Sequence, residues 1–158
     1  MYLIYLISAG VIALDQLSKI LIVRSMTLYE TIPVIRDIFS ITYTRNKGVA
    51  FSMLSNIPDT FRVPFFALTT GAVIAVILWF FRGLIKKSGY VRVCFGLIVG
   101  GALGNFIDRV RIGEVIDFIE VGLNQNLKWP IFNVADSCIN IGVVMLLVYL
   151  IRNKEEAK

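Results

Sequence analysis

Four stretches of this chain, at about residues 2–25, 62–81, 91–107 and 132–151, are apolar enough to cross a lipid bilayer. Nothing else in the sequence limits the fold so strongly. A hydrocarbon slab about 30 Å thick admits only helices or closed barrels, because backbone polar groups find no water there. Apolar residues make up 57% of the 158 positions, against about 45–50% in soluble domains. The excess lies in blocks, so it predicts spans rather than one large soluble core. The first block is too long, and too polar in its second half, to read as a cleaved signal peptide, so it is expected to be a retained helix.

The segment between the first two spans reads differently. Ile32-Pro33-Val34-Ile35 and Ile38-Phe39-Ser40-Ile41-Thr42-Tyr43-Thr44 are rich in β-branched and aromatic residues with partial alternation. Two or three short strands are expected within about 27–61, with turns at Asn46–Gly48 and around Pro58. The expected fold is therefore an α-helical membrane protein of four transmembrane helices. A small extracytoplasmic β-sheet lies between the first and second, and 1–158 form one integral membrane domain.

Charge sets the orientation. The net charge is +5, but no basic face carries interleaved aromatics, so nucleic acid is not an expected partner. Arg82, Lys86, Lys87 and Arg92 form the densest basic cluster, and Arg152, Lys154 and Lys158 follow the last span. By the positive-inside rule both groups are cytoplasmic, which places both termini inside and the 27–62 and 108–131 loops outside.

Several ionisable and amide side chains interrupt the spans: Asp15, Lys19, Asn105, Asp108, Asn133 and Asp136. A charge at the bilayer centre costs about 2.5–3.5 kcal/mol at the lowest estimates, so such groups ask for a functional reason. With a rise of about 1.5 Å per residue, these groups reach a common depth just inside the outer surface. Asp15 and Lys19 stand i,i+4 and can pair, a structural role preferred over direct catalysis because a paired carboxylate stays ionised. Asp108 precedes Arg109, which could pair with it locally and also hold it ionised. Ser137 and Asn140 fall on or near the same helical face as Asp136.

The chain has no histidine. That removes Ser-His-Asp and Cys-His catalysis and the usual His-based zinc sites, and no cofactor or metal is expected. Cys94 and Cys138 sit inside apolar segments and read as small buried hydrophobes. Carboxylates are left to move protons. Two of them a few ångströms apart share one proton; the ionised one activates water while the protonated one polarises a carbonyl. Asp117, within Val115-Ile116-Asp117-Phe118, and Asp136, within Phe132-Asn133-Val134-Ala135-Asp136-Ser137, have the most apolar surroundings. Either aspartate alone could instead cap a helix or favour its first turn. Carboxylates in membranes also serve transporters, although the absence of an internal repeat and the single depth of the acids speak against a path across the bilayer.

Asp15-Gln16-Leu17-Ser18-Lys19, Asn46-Lys47-Gly48-Val49-Ala50-Phe51, Gly100-Gly101-Ala102-Leu103-Gly104-Asn105-Phe106-Ile107-Asp108-Arg109, and the two aspartate motifs together resemble the bacterial lipoprotein signal peptidase (signal peptidase II) family. The likeness spans almost the whole chain, in order. It implies an aspartyl endopeptidase of the inner membrane that cuts prolipoproteins before a diacylglyceryl-modified cysteine. It assigns Asp117 and Asp136 as the catalytic pair, and Asn46, Gly48, Asn105, Asp108, Arg109, Asn133 and Ala135 as substrate-contacting or supporting residues. It also implies that globomycin and myxovirescin bind across the aspartates, with the sheet cradling the substrate. Asn46, Asn105 and Asn133 are expected to clamp the substrate backbone beside Arg109. A monomer suffices for all of this.

Overall fold

The computed structural model describes residues 2–47, 59–124 and 127–153. The order is α1 (Tyr2–Ser25), β1 (Thr31–Ile35), β2 (Phe39–Asn46), α2 (Asp59–Phe80), α3 (Arg82–Lys87), α4 (Gly89–Ile112), β3 (Val115–Asn124), β4 (Leu127–Lys128) and α5 (Val134–Arg152). Four of the helices, α1, α2, α4 and α5, are long and apolar enough to cross a membrane. Their outward residues, among them Leu17, Leu68, Val76 and Leu147, are exposed apolar side chains. Such a surface suits lipid, which supplies no hydrogen-bond partners and demands none.

α4 is the axis of the bundle and packs along both α1 and α5. Its glycines make this possible. A Cβ at Gly100 would stand 2.8 Å from Val11 Cβ and 2.9 Å from Ser8 Cα on α1. A Cβ at Gly101 would collide with the Ala135 carbonyl oxygen and Ile139 on α5. Helices in lipid gain little from hydrophobic exclusion, so close backbone approach and interhelical hydrogen bonds must hold them. Ser8 Oγ, buried, donates to Gly96 O at 3.0 Å and supplies one such bond.

α4 runs farther than the 91–107 span expected of it. Asp108, Arg109 and Arg111 continue the helix, which ends where Gly113 takes φ 73° and returns its N–H to Arg109 O. Glycine at that left-handed position avoids the Cβ strain any other residue would meet. Asp108 can remain in the helix because its charge is satisfied from α1. The loop expected over 82–92 contains α3, followed by Ser88, whose side chain accepts from Val91 N and caps α4.

The sheet is antiparallel, in the order β1-β2-β3-β4. It is larger than the sheet expected between the first two helices: β3 and β4 come from the segment that joins α4 to α5. Thr44 faces Asp117 and Asn46 faces Val115 across the β2–β3 ladder. The apolar core gathers Ile4, Ile85, Val91, Cys94, Phe95 and Leu146 at the end of the bundle away from the sheet. Polar burial is concentrated at the other end.

Gly101→Ala is expected to cost about 1–3 kcal/mol through overpacking, read as a lower unfolding temperature in detergent. Gly10→Ala, whose Cβ meets nothing within 4 Å, is the matched control and should cause no loss.

Candidate active site

The site starts from one lysine. Lys19 on α1 is 1% exposed. Its Nζ lies 2.8 Å from Asp15 Oδ2 and 2.7 Å from Asp108 Oδ2, and donates to Asn105 Oδ1 at 3.0 Å. An ammonium has three protons and no acceptor, so this set satisfies it completely. Asp108 therefore pairs with Lys19, not with the adjacent Arg109 that the sequence offered. Sequence neighbours point to different sides of a helix, whereas Lys19 approaches from the packed helix.

Lys19 also decides which way Asn105 points. The ammonium can only donate, so the Asn105 oxygen must face it and the amide nitrogen must face away. That nitrogen donates to Asp136 Oδ1 at 2.7 Å. A parallel device holds the other carboxylate. Asn133, fully buried, is the N-cap of α5, and its Oδ1 accepts from Asp136 N at 2.9 Å. Its amide nitrogen is turned to Asp117 Oδ1 at 2.6 Å and Asn105 Oδ1 at 3.0 Å. Asn105 and Asn133 thus link the two aspartates to each other and to Lys19. Through these bonds the two amides orient the carboxylates.

Asn46 reaches the site from the sheet. It faces Val115 in the ladder and so lies diagonal to Asp117, a separation that side chains on one face can bridge. Its Nδ2 donates to Asp117 Oδ2 at 3.0 Å. Gly48, the other residue expected in that loop, lies outside the described residues. Ala135 offers no side-chain chemistry; its backbone N–H donates to Asp15 Oδ1 at 3.0 Å and ties α1 to the first turn of α5. Arg109 stacks its guanidinium 4.7 Å from the centre of the Phe66 ring and lines a cavity with Asn105 and Asp136. Ser137 turns its hydroxyl back to Asn133 O, and Asn140 is exposed, so neither joins the network.

One residue of the network escaped the sequence reading. Gln16 donates from Nε2 toward Gly104 O at 3.1 Å, Asp108 Oδ1 at 3.0 Å and Asp15 Oδ2 at 3.2 Å. A carboxamide inside an apolar span was the available signal, and the same reasoning that singled out Asp15 covers it.

The two carboxylates differ in surroundings. Asp117 is 2% exposed, whereas Asp136 is half-buried and borders the cavity. That cavity, about 450 Å³, opens between α2, α4 and α5. Thr70, Ile74, Val99 and Ile139 are among its mainly apolar lining; Asn105, Arg109 and Asp136 form its polar end. Burial pushes the Asp117 carboxyl from 3.8 to about 6. The negative charge of Asp136 adds to the rise, while hydrogen bonds from Asn46 and Asn133 and the charge of Lys19 oppose it.

The sequence matches the family described as signal peptidase (SPase) II over residues 7–152. The chain belongs to the signal peptidase II family. It is 47% identical to a lipoprotein signal peptidase of Syntrophotalea carbinolica, over 92% of this chain and 89% of that protein. It is 40% identical to that of Bacillus subtilis, over 99% and 97%. Its fold is similar to a bacterial membrane enzyme solved by the in meso method at 1.9 Å resolution. That likeness has a TM-score of 0.80 at 35% identity and covers 93% of this chain and 91% of that one. Membership in signal peptidase II makes the protein a multi-pass membrane peptidase.

Two outcomes follow for the network. Lys19→Ala leaves Asp15 and Asp108 buried without their cation and should cost about 3–5 kcal/mol. Asp15→Ala leaves Lys19 paired with Asp108 and should cost less; unfolding in detergent measures both.

The second concerns pH. A carboxyl with a folded pKa near 6 and an ordinary value of 3.8 favours the fold most below 3.8. That contribution is lost as pH rises through 6. Asp117→Asn should therefore flatten the fall in stability across this window and leave the protein more stable above it. Asp136→Asn, which removes the adjacent charge, should lower the pH at which Asp117 titrates, followed through the infrared band of the protonated carboxyl.

Proposed function

We propose that the protein is an aspartyl endopeptidase that removes the signal peptide from diacylglyceryl-modified prolipoproteins, cutting before the lipidated cysteine. The observation that carries this reading is the linked pair Asp117 and Asp136, held by Asn46, Asn105 and Asn133, with the buried Asp117 carboxyl pushed up to about 6. Like charges so placed favour one shared proton. A water lying between the carboxyls loses a proton to the ionised aspartate as its oxygen attacks the scissile carbonyl. The protonated aspartate donates a hydrogen bond to that carbonyl oxygen. Collapse of the tetrahedral intermediate then breaks the C–N bond, and the leaving amine takes a proton from the pair.

The surroundings support the substrate class. A signal peptide presents an apolar helix whose backbone is internally bonded, and its end must unwind before a peptide bond can be attacked. The cavity between α2, α4 and α5 gives an apolar segment a path to the half-buried Asp136 and to Arg109. The sheet carries Asn46 over the opposite carboxyl, where a strand of unwound substrate meets donors and acceptors. In this reading the membrane is the bacterial inner membrane. The termini and the 82–92 segment are cytoplasmic, the sheet faces outward, and the working unit is a monomer. Peptide antibiotics such as globomycin occupy the same groove across the two aspartates.

Purified protein in detergent should shift the mobility of a diacylglyceryl-modified prolipoprotein and leave the unmodified precursor intact. Asp117→Asn and Asp136→Asn should each lower turnover by about 10²–10⁴-fold or more, with folding retained, because Asn keeps the shape and cannot hold the proton. Near-normal turnover in either variant would overturn the assignment.

Asn46→Ala should raise KM and weaken globomycin binding with little effect on stability. The half-buried Asn46 stands at the end of β2, and its loss leaves the Lys19 network intact.

A further inference from the structure

A second cavity, of about 320 Å³, shares no residue with the first. It lies between the last turns of α1 and α4 and the β2–β3 edge of the sheet. Three guanidiniums line it: Arg24, Arg45 and Arg111. Around them stand Ile20, Val23 and Ile112, all with more than a third of their surface exposed.

The charges of this cluster are poorly neutralised. Arg24 forms no ion pair among the described residues. Arg111 donates to Gln16 Oε1 at 3.4 Å and meets no carboxylate there. Arg45 reaches Glu114 only at 4.0 Å, and Glu114 is shared with Lys47 at 3.5 Å. The floor of the cavity, Lys19 with Asp108, is already internally balanced. The cluster therefore holds an excess of positive charge that an anion would meet.

Its depth identifies the anion. α1 has 24 residues, hence a length of about 36 Å against a hydrocarbon slab of about 30 Å. Its last turn, which carries Arg24, falls at the level of lipid headgroups, as does the last turn of α4 with Arg111. Guanidinium groups bind phosphate oxygens in pairs of parallel hydrogen bonds. The exposed Ile20, Val23 and Ile112 adjoin them on the side where a glycerol backbone and the first acyl carbons would lie.

We propose that this cavity is a binding site for an anionic glycerophospholipid, its phosphate held by Arg24, Arg45 and Arg111 and its chains against α1 and α4. A headgroup with net negative charge is favoured over a zwitterionic one, whose own ammonium would face the same cations. The site is separate from the catalytic reading and stands without it. It adjoins that reading through its floor, where Asp108 accepts from Ile116 N at 3.2 Å, next to Asp117 in β3. An occupied site would brace the strand that carries the carboxyl.

The experiment uses the full chain in detergent. Phosphatidylglycerol, phosphatidylcholine or inorganic phosphate is added in increasing amounts, and the unfolding temperature is followed. A ligand that binds only the folded state raises it by mass action. Phosphatidylglycerol should give a saturable rise that phosphatidylcholine and inorganic phosphate do not. Native mass spectrometry should show one phosphatidylglycerol retained in preference to phosphatidylcholine. The double variant Arg24→Gln with Arg111→Gln should bind it about tenfold or more weakly, the scale expected for lost hydrogen bonds to a charged group. Lys86→Gln with Lys87→Gln, at the other end of the bundle, should bind as the parent does. Equal rises with both lipids, retained selectivity in the arginine variant, or equal loss in the lysine variant would overturn the site. A saturable rise with inorganic phosphate alone would reduce it to an ion site and overturn its lipid part.

Discussion

The buried ammonium of Lys19 is the interaction on which the rest of this structure depends. Three acceptors from two helices surround it: Asp15 from its own helix, Asp108 and Asn105 from α4. A charge at this depth is costly, and a buried ion pair often adds little net stability against an apolar replacement. Its contribution here is direction. Because the ammonium accepts nothing, it forces the Asn105 oxygen inward and the amide nitrogen toward Asp136. Asn105 then leaves Asn133 only one way to bond it. Two carboxylates on different elements are oriented by one cation that touches neither of them in the hydrogen-bond network.

The bundle separates its work by level. The end away from the sheet is held by apolar packing around Phe95 and Val91 and needs no polar chemistry. The sheet end gives up that packing for a dense set of charges and amides. What makes the exchange possible is the closeness of α1, α4 and α5, which the glycines of α4 permit. A side chain at Gly104 would meet Asp15 Oδ2 at 2.7 Å, so the same absence of side chains that brings the helices together makes room for the network. α2 stands apart, packed mainly on α4, and the gap it leaves becomes the apolar cavity that ends at Asp136.

The environments of the two aspartates follow from where each is mounted. Asp117 is on a strand, under Asn46 on one side and Asn133 on the other, and is shut off from solvent. Asp136 is in the first turn of a helix, half-buried at the cavity's polar end. Burial raises the first carboxyl and the charge of the second raises it further. This setting arises from packing a strand, a helix N-terminus and a lysine from a third element against one another.

Much of this was legible in the chain itself. Apolar block length implied four spans, since a bilayer leaves the backbone no other way to satisfy its hydrogen bonds. The polar residues inside those blocks identified the level of the site, because nothing apolar explains their cost. The i,i+4 spacing of Asp15 and Lys19 is a local relation, and helix geometry alone carries it. Partners from other elements could not be read so. Arg109 was the nearest cation to Asp108 in sequence, yet Lys19, 89 positions away, is the one that faces it. The segment of Asp117 does not read as a strand in the sequence because its pairing partner, β2, lies on the far side of three helices. Side-chain direction, and with it the bonding of Asn105 and Asn133 to the two carboxylates, was decided only when the helices packed. Composition and periodicity determine which residues are buried in a bilayer; only tertiary contact determines which donor each buried acceptor meets.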